Sequence, residues 1–342
     1  MKLLIITQKV DQADTNLGFF HRWLQEFSKN TDELFVIGGS VGASALPPSV
    51  HVYSLGKEKG YGRIARYIRF YWHCITTIPR VDAVFVHMIP AWVLLVWPVA
   101  FVFRKKIFLW YTHKSVTLSL RIAARLVTRI FTASKESCRL LSPKIVITGH
   151  GIDTKHFVFG GKAPRDKFRI LTVGRIASSK GHYFLLEVIQ ELRKEKLDKP
   201  LSLTIVGETI TNADKAYEVG LKKYVNEHQL GEIVTFAGGK AYTELPKIYD
   251  EHTLMVHASV TGSVDKVVIE SMACGLPVVT TSEAYQGILP VRYIATNKLP
   301  GAVAKTLYDL RDIEKDMELR NIVEKDHAVE NVVRKIMTKI YE

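Results

Sequence analysis

Two cations, Arg175 and Lys180, lie near the two ends of a short segment rich in glycine and serine that runs from Gly174 to Gly181. An apolar stretch at residues 169–173 predicts a strand before this segment, and an apolar-periodic pattern predicts a helix from about Gly181. A loop between a strand and a helix directs free backbone N–H groups towards an anion. Because both cations can face the same anion, the segment predicts a phosphate site.

A second segment, at residues 270–279, lies 90 positions further along the chain. Its pattern predicts a helix that carries Glu270 and ends near Gly275, followed by an apolar strand that Pro277 opens. A carboxylate in that place is suited to bind ribose hydroxyls beside a diphosphate. The two segments together therefore predict a site for a nucleoside diphosphate.

Short apolar runs recur along the whole chain, and helix-like segments separate them. Strands of this kind that alternate with helices are typical of parallel sheets covered on both faces. The predicted strands are residues 3–7, 34–38, 50–55, 83–87, 107–111, 130–133, 144–148, 169–173, 201–206, 233–236, 253–257, 277–280 and 291–295. They form two series, which predict an α/β fold with two Rossmann-like, doubly wound domains.

The boundary between the two series falls in a glycine- and proline-containing stretch, Phe159-Gly160-Gly161-Lys162-Ala163-Pro164. We predict an N-terminal domain at residues 1–158, a C-terminal domain at 165–326 and a final helix at 327–342. No Gly-x-Gly-x-x-Gly follows the first strand, which argues against an NAD-dependent enzyme.

The positive charge of the chain is concentrated in the predicted N-terminal domain. Of the 47 Lys+Arg and 34 Asp+Glu, residues 1–158 hold 21 and 9, so their net charge is +12 while that of the remainder is +1. A basic surface of this kind favours an anionic partner. We expect a membrane rather than nucleic acid, because the chain shows no basic motif with interleaved stacking aromatics. Three unpatterned cysteines suit a reducing cytosol, so we predict a cytoplasmic, peripheral protein on the inner membrane face.

The paired motifs resemble the family 4 glycosyltransferases, which are retaining enzymes of the GT-B fold. Asn16-Leu17-Gly18, Trp110-Tyr111-Thr112-His113 and Gly149-His150-Gly151 stand in the order expected for that family. The resemblance implies two domains facing across a cleft, with a nucleotide-diphosphate sugar as donor. Residues 1–158 are expected to bind the acceptor and face the membrane, residues 165–326 to bind the nucleotide sugar, and the helix at 327–342 to cross back to the N-terminal domain. It implies catalytic roles for Arg175, Lys180, His113 and Asp265, and donor binding by Gly18, Gly174, Arg175, Lys180, Lys266, Val267 and Glu270. No Asp-x-Asp or other metal motif is present in the sequence, so we expect no metal and no cofactor.

One departure from the family pattern bears on how the donor sugar is recognised. The family carries two glutamates eight residues apart, but the residue eight positions before Glu270 is Gly262. The chain is thus expected to belong to a subgroup that lacks the first glutamate. Either Asp265 replaces the missing carboxylate, or the donor sugar is recognised differently, or the protein binds a nucleotide sugar without transferring it.

Residues 61–75 have the pattern of an amphipathic helix. Arg63, Arg66, Arg69 and His73 fall on one side; Ile64, Ile68, Tyr71, Trp72 and Ile75 fall on the other, with Phe70 on the basic side. This pattern favours a helix at a membrane interface. The alternative is a helix that buries its apolar side on the sheet and leaves its basic side in water. Residues 90–103 are apolar but shorter than the about 20 residues of a membrane span, so they predict a buried helix.

The sequence therefore predicts a metal-independent, retaining hexosyltransferase that acts on a lipid-linked or surface-glycan precursor. Two alternatives remain open: a soluble glycosyltransferase that makes a small glycoside, and a catalytically silent relative that binds a nucleotide or glycan. The sequence leaves the base, the sugar, the acceptor and the linkage undetermined.

Overall fold

The computed structural model describes residues 1–15, 17–161 and 166–342. The chain divides into two compact units, one formed by Met1–Asp153 with Asp326–Glu342 and the other by Thr154–Lys325. Asn16 and the predicted boundary residues Lys162, Ala163 and Pro164 lie outside the described residues.

The first unit contains a seven-stranded sheet in which every neighbouring pair is parallel, in the order β3-β2-β1-β4-β5-β6-β7. Its strands are β1 (Lys2–Val10), β2 (Glu33–Val41), β3 (Val50–Ser54), β4 (Ala83–His87), β5 (Lys106–Trp110), β6 (Arg129–Thr132) and β7 (Ile145–Ile147). Its helices are α1 (Phe19–Ser28), α2 (Arg63–Thr77), α3 (Pro90–Val102) and α4 (Leu118–Leu126), together with the C-terminal α11 (Val329–Tyr341).

Two hydrophobic cores cover the two faces of this sheet. On one face, α2, α3 and α4 contribute buried residues such as Phe70, Val93 and Leu120. On the other face, α1 and α11 contribute buried residues such as Trp23 and Ile336. Burial on both faces explains why the strands read as continuous apolar runs.

The C-terminal segment returns to the first unit and pairs with the end of its sheet region. Ile152 and Ala328 form a parallel bridge, and the indole nitrogen of Trp23 donates to the carbonyl of Gly151 at 2.8 Å. A Cβ atom at Gly149 would collide with the carbonyl oxygen of Asp326. The glycine-rich turn at residues 149–151 is therefore needed so that the returning chain can approach closely.

The second unit contains a five-stranded parallel sheet in the order β10-β9-β8-β11-β12. Its strands are β8 (Phe168–Val173), β9 (Leu201–Val206), β10 (Val234–Gly238), β11 (Leu254–His257) and β12 (Val278–Thr280). Its helices are α5 (His182–Leu192), α6 (Asn212–Glu227), α7 (Leu245–Asp250), α8 (Lys266–Ala273), α9 (Pro300–Asp309) and α10 (Met317–Asp326), which ends at the boundary.

The predicted fold class is confirmed, since the chain has two α/β units, each built on a parallel sheet. The strand predicted at residues 291–295 is wrong. Val291–Tyr293 form a 3-10 turn, and only Ile294 makes an isolated bridge, to Thr280. A single bridge leaves the other backbone groups of this segment without a ladder, so it does not extend the sheet.

The strand order reverses once in each sheet, between β1 and β4 in the first unit and between β8 and β11 in the second. Ligands of doubly wound sheets bind beyond the carboxyl ends of the strands at such a point. Each unit therefore has one crevice whose position follows from topology alone.

Candidate active site

The loop that begins at the end of β8 carries the first predicted cation. The N–H of Gly174 donates to the Val206 carbonyl at 2.9 Å, which ties the loop to the neighbouring strand. A Cβ atom at Gly207 would collide with the carbonyl oxygen of Gly174, so the two loops can approach only because Gly207 is a glycine. Arg175 follows with a side chain that is 43% exposed, and its Nε lies 3.9 Å from Asp214 Oδ2. The guanidinium of Arg175 is thus accessible to a ligand.

The second predicted cation lies at the entrance to a helix. Ser178–Lys180 form a 3-10 turn, Gly181 adopts φ 70°, and α5 begins at His182. A side chain at Gly181 would meet the carbonyl oxygen of Ala258, so both its backbone angle and the available space require glycine. The N-terminus of α5, with its unsatisfied N–H groups, therefore follows Lys180 directly.

An ion pair joins the loop of the first predicted motif to the residue that precedes the helix of the second motif. Lys180 Nζ donates to Asp265 Oδ2 at 2.6 Å, although the two residues are 85 positions apart in sequence. The side chains of Lys180 and Asp265 are 22% and 17% exposed. Asp265 lies immediately before α8, so this contact joins the loop after β8 to the start of the helix that carries Glu270.

A buried histidine holds the same carboxylate oxygen. His257, the last residue of β11, places Nε2 2.9 Å from Asp265 Oδ2, and its Nδ1 lies 3.0 Å from Thr280 Oγ1. Burial alone would raise the pKa of Asp265, but the hydrogen bond and charge of His257 and the Lys180 ammonium hold it well below its usual range. Asp265 is therefore a carboxylate at neutral pH, held between two donors.

The backbone of Asp265 is fixed as firmly as its side chain. Its N–H donates to the Tyr285 hydroxyl at 2.7 Å, and the same hydroxyl donates to the Asp265 carbonyl at 3.2 Å. Sequence reasoning missed His257, Thr280 and Tyr285. A histidine at the end of an apolar strand was the one available signal, since strand ends line the crevice of such a sheet.

Glu270 is almost completely buried, with a side chain that is 1% exposed. Its Oε1 lies 2.6 Å from Lys266 Nζ one helical turn earlier, and its Oε2 accepts from the Tyr249 hydroxyl at 3.3 Å. Burial, with the Glu270 carboxylate nearby, raises the pKa of Tyr249 well above its usual value. The predicted contact between Glu270 and a ribose therefore needs a side chain in this cluster to move aside.

Three further residues are predicted to bind the donor. Lys266 and Val267 lie beside Glu270, and Gly18 belongs to the first unit. The carbonyl of Val267 accepts from the Tyr249 hydroxyl at 3.3 Å, and the Lys266 ammonium lies 5.0 Å from the centre of the Tyr242 ring. His113 and Gly18 both belong to the first unit. The structure thus joins Lys180 to Asp265, and Lys266 to Glu270, by direct contacts within the second unit.

In the first unit, His113 lies just beyond the end of β5 with an exposed ring, as the sequence predicts. Its Nδ1 accepts from the N–H of Ser115 at 3.1 Å, which leaves Nε2 as the ring atom for a ligand. Gly18 precedes α1, and a Cβ atom there would lie 2.5 Å from the Asp14 carbonyl oxygen. Gly18 is therefore required by the packing of its own loop.

Within the described ranges, no group of three or more His, Cys, Asp and Glu side chains is placed to hold a metal ion. Arg175, Lys180 and the start of α5 are the groups that can neutralise a diphosphate there. All three cysteines, Cys74, Cys138 and Cys274, are free and buried, and burial raises the pKa of Cys74 and Cys274 to about 12.

The outer surface of α2 decides against one of the two interpretations of its sequence pattern. Its apolar side faces solvent, with Ile64, Ile68 and Trp72 exposed by 78%, 66% and 67%. Phe70 and Cys74 are the residues that enter the core, while Arg66 and Arg69 are half-buried beside them. The alternative of a buried apolar side with a solvated basic side is therefore wrong.

The helix predicted at residues 90–103 forms, as α3, but it is not fully buried. Val93, Val96 and Ala100 face the core, whereas Phe101 and Val102 are exposed at its C-terminal end. Among the helices in the described part of the chain, none has both the length and the apolar character needed to cross a membrane.

Comparison with known proteins shows which sequences and structures this chain resembles. Residues 153–318 match the model of a family described as glycosyl transferases group 1. The D-inositol 3-phosphate glycosyltransferase of Pseudarthrobacter chlorophenolicus is 32% identical over 173 residues, which cover 46% of this chain and 40% of that protein. The mannosylfructose-phosphate synthase of Agrobacterium fabrum is 31% identical over 127 residues, covering 37% and 27%. The matched segments thus span less than half the length of these relatives.

Similarity of structure extends over the whole chain. The crystal structure of Anabaena Alr3699/HepE in complex with UDP has a TM-score of 0.75 and 14% identity, and the match covers 100% of both chains. The molecule accordingly has the GT-B fold, and its residues 153–318 resemble the group 1 glycosyltransferases in sequence.

Proposed function

We propose that this protein is a metal-independent, retaining glycosyltransferase that uses a nucleotide-diphosphate sugar. The observation that carries the proposal is the contact between Lys180 and Asp265 at the crevice of the second unit. It unites the loop after β8, where Arg175 is accessible, with the start of α8. The match of residues 153–318 to the group 1 glycosyltransferases supports the same conclusion.

In the proposed reaction, the bond between the anomeric carbon and the diphosphate oxygen breaks, and the diphosphate keeps the electron pair. The acceptor oxygen bonds to the anomeric carbon from the same face, and its proton passes to a phosphate oxygen. Negative charge develops on the diphosphate, so fixed positive groups there contribute most. Lys180 suits this role because an ammonium has three donors and Asp265 occupies one of them.

We infer that Asp265 has two functions in this site. Its Oδ2 holds Lys180 in place, with His257 on the same atom, while Oδ1 is the atom that would contact the donor sugar. Gly262 has φ 64°, a conformation that a glutamate adopts only with strain. This conformation disfavours the family's first glutamate at position 262, and we propose that the chain belongs to a subgroup that uses Asp265 instead.

We further propose that the acceptor is a lipid-linked or surface-glycan precursor and that transfer takes place at an anionic membrane face. The exposed apolar side of α2 supports this proposal, because Ile64, Ile68, Trp72 and Ile75 are all exposed. Contiguous exposed apolar patches commonly mark sites of protein or membrane binding. Phe101 and Val102 are also exposed, and the basic run Arg104-Lys105-Lys106 follows them. An apolar side that enters the interface, flanked by cations, is typical of peripheral binding.

A soluble enzyme that makes a small glycoside is the second candidate. It is favoured by the relatives, whose names refer to D-inositol 3-phosphate and to mannosylfructose phosphate. Sedimentation with anionic liposomes separates the two candidates, because a membrane enzyme sediments at low salt and a soluble one stays in solution.

The decisive experiment is a thermal-shift screen with UDP-, GDP-, ADP- and CMP-sugars, followed by a transfer assay with the donor that binds. A donor at 100 times its dissociation constant should add about 2.7 kcal/mol to the free energy of unfolding. NMR of the product then reports the anomeric configuration, which must equal that of the donor. If no donor shifts the melting temperature, the proposed function is wrong; if a donor binds but is neither hydrolysed nor transferred, the protein is a silent binder.

A further inference from the structure

Lys266 is the first residue of α8, and the first turn of this helix holds no acidic side chain. A cation at this end of a helix is unfavourable, because the aligned peptide dipoles already place positive charge there. Lys266 also precedes its partner Glu270 by four residues, and this order stabilises a helix less than the reverse order does. The stability of α8 by itself therefore disfavours a lysine at this position.

The carboxylate that precedes Lys266 does not cap the helix. Asp265 makes no side-chain hydrogen bond to the backbone of α8. Its Oδ2 is instead shared between Lys180 Nζ at 2.6 Å and His257 Nε2 at 2.9 Å. An anionic ligand at the start of α8 would relieve the positive charge that Lys266 and the helix dipole place there.

The carboxylate of Glu270 is incompletely satisfied in the same way. Its Oε2 accepts from the Tyr249 hydroxyl at 3.3 Å. Its Oε1 is buried and accepts no hydrogen bond from any residue that the structure describes. The Lys266 ammonium lies 2.6 Å from Oε1, so it balances the charge without the angles of a hydrogen bond. A buried polar atom without a hydrogen bond often marks the place of an absent ligand or water.

Lys266 is held less firmly than the neighbouring Lys180. Lys180 donates a hydrogen bond to a carboxylate oxygen that His257 also holds, whereas the contact of Lys266 with Glu270 lacks hydrogen-bond geometry. The Lys266 side chain is half-buried and has a flexible four-carbon stem. Side chains of a helix lean towards its N-terminus, so a rotation of this stem brings the ammonium to the start of α8. Lys266 can therefore exchange Glu270 for an anion.

We propose that Lys266 is a specificity-determining residue that makes binding of the ribose depend on binding of the diphosphate. Without a ligand, its ammonium occupies Oε1 of Glu270, the oxygen that would accept a hydrogen bond from a ribose hydroxyl. The diphosphate attracts the ammonium to the start of α8, and Oε1 is then open to the ribose. This inference rests on the proposed function, which supplies the nucleoside diphosphate, and it adds that the site rejects a nucleoside without phosphates.

The first test uses the unaltered protein and titration calorimetry with UDP, GDP and ADP, and with uridine, guanosine and adenosine. The nucleoside whose diphosphate binds is then titrated in inorganic phosphate and in sodium chloride of equal ionic strength. Phosphate should tighten nucleoside binding by about tenfold, which is within the usual range of coupling between two binding sites. Equal nucleoside binding in the two salts would overturn the proposal.

The second test replaces the lysine by a side chain of similar length without charge. Lys266→Met should tighten nucleoside binding by about tenfold and abolish the effect of phosphate, because Oε1 of Glu270 is no longer occupied. A lysine with a merely structural role would instead lower the affinities for nucleoside and diphosphate together.

A double-mutant cycle shows whether the effect of Lys266 acts through Glu270. In a Glu270→Gln background, Lys266→Met should leave nucleoside binding unchanged, because the carboxylate for which lysine and ribose compete is gone. The double variant also lacks the buried charge that Lys266→Met leaves without its cation. The cycle and the phosphate titration of the unaltered protein therefore decide the question even if the single variant folds poorly.

The matched control is Lys247→Met, which removes an exposed cation of α7 in the same unit. It should change neither affinity. If none of the three diphosphates binds the unaltered protein, the proposed function is wrong and this inference fails with it. If a diphosphate binds but Lys266→Met alters nucleoside affinity no more than Lys247→Met does, this inference alone is wrong.

Discussion

The two crevices differ in whether their cations are paired with carboxylates. In the second unit, Lys180 is held by Asp265 at 2.6 Å and Lys266 lies 2.6 Å from Glu270, so cation and carboxylate are arranged before any ligand arrives. In the first unit, Lys57, Arg63 and Arg66 line a cavity. Among the described residues, no carboxylate forms an ion pair with any of these three cations. The preorganised charge of Lys180 is suited to a reaction centre, where it must not reorganise, whereas unpaired charges are suited to binding.

The largest expected effect is on turnover, from the cations of the second unit. Lys180→Ala and Arg175→Ala should each lower kcat by about 100-fold or more, the scale of removing one preorganised donor of positive charge. Steady-state kinetics with the identified donor measures it, and Lys223→Ala, which removes an exposed cation of α6, serves as the control. Near-normal turnover in both variants would remove the reaction centre from this crevice.

Membrane binding should depend on the outer side of α2 rather than on its arginines. Replacing Ile64, Ile68 and Trp72 together with serine should weaken binding to anionic liposomes by about 100-fold, since burying each side chain contributes about 1.5–3 kcal/mol when complete. Arg69→Gln should have little effect, because its guanidinium already donates to the Ser54 carbonyl at 2.9 and 3.1 Å. Cosedimentation with liposomes measures both effects. If Arg69→Gln strongly weakens binding and the triple serine variant does not, the arginines hold the protein on the membrane.

Substitutions in the two crevices should differ in their effect on the stability of the protein. Glu270→Ala should lower the free energy of unfolding by about 2 kcal/mol, because it leaves the buried Tyr249 hydroxyl and the Lys266 ammonium without their carboxylate. Lys57→Gln should change it by no more than about 0.5 kcal/mol, as for other exposed side chains without partners. Urea denaturation of both variants measures the two changes in the free energy of unfolding. Weaker nucleotide binding by Glu270→Ala, with UDP as probe, would add support for its predicted ribose contact.

Asp265→Asn should reduce transfer with any donor by about tenfold or more, since Lys180 loses the charge that holds it. Binding of the free nucleoside diphosphate should change much less. His257→Gln should act in the same direction but less strongly, because it removes one of two donors to the same oxygen. If His257→Gln lowers stability without altering kcat, the histidine is purely structural.

Asp265→Asn should also change how the stability of the protein depends on pH. The pKa of Asp265 is lowered in the folded protein, so its charged form stabilises the fold above the ordinary aspartate pKa, and this stabilisation is lost as the pH falls. The difference in unfolding free energy between the wild-type protein and Asp265→Asn should therefore be largest near neutral pH and shrink in acid. A difference that does not vary with pH would contradict the buried carboxylate.

The smallest expected effect is that of chelation. Since we assign charge neutralisation to Arg175, Lys180 and the start of α5, EDTA should leave transfer largely intact. Loss of activity that Mg²⁺ restores would show that a metal takes part.

Much of the fold could be read from local patterns. The strands predicted at residues 83–87 and 201–206 agree with the structure to the residue, because apolar β-branched runs between turns specify buried parallel strands. The run at 291–295 has the same local character but is not a strand. Its backbone reaches β12 at one position only, which no property of the segment itself reveals.

The sequence by itself determined which residues share a face or a loop, through periodicity and motif spacing. It placed Arg175 and Lys180 around one loop and put the arginines and isoleucines of α2 on different sides. Only the tertiary structure decided what each of those faces meets. Phe70 and Cys74 enter the core, so the apolar side of α2 turns outward, and the chain brings Asp265 and His257 to Lys180 across long separations. The reason is physical, since burial and ion pairing depend on which surfaces the whole fold brings together, and a local pattern holds no information about that partner.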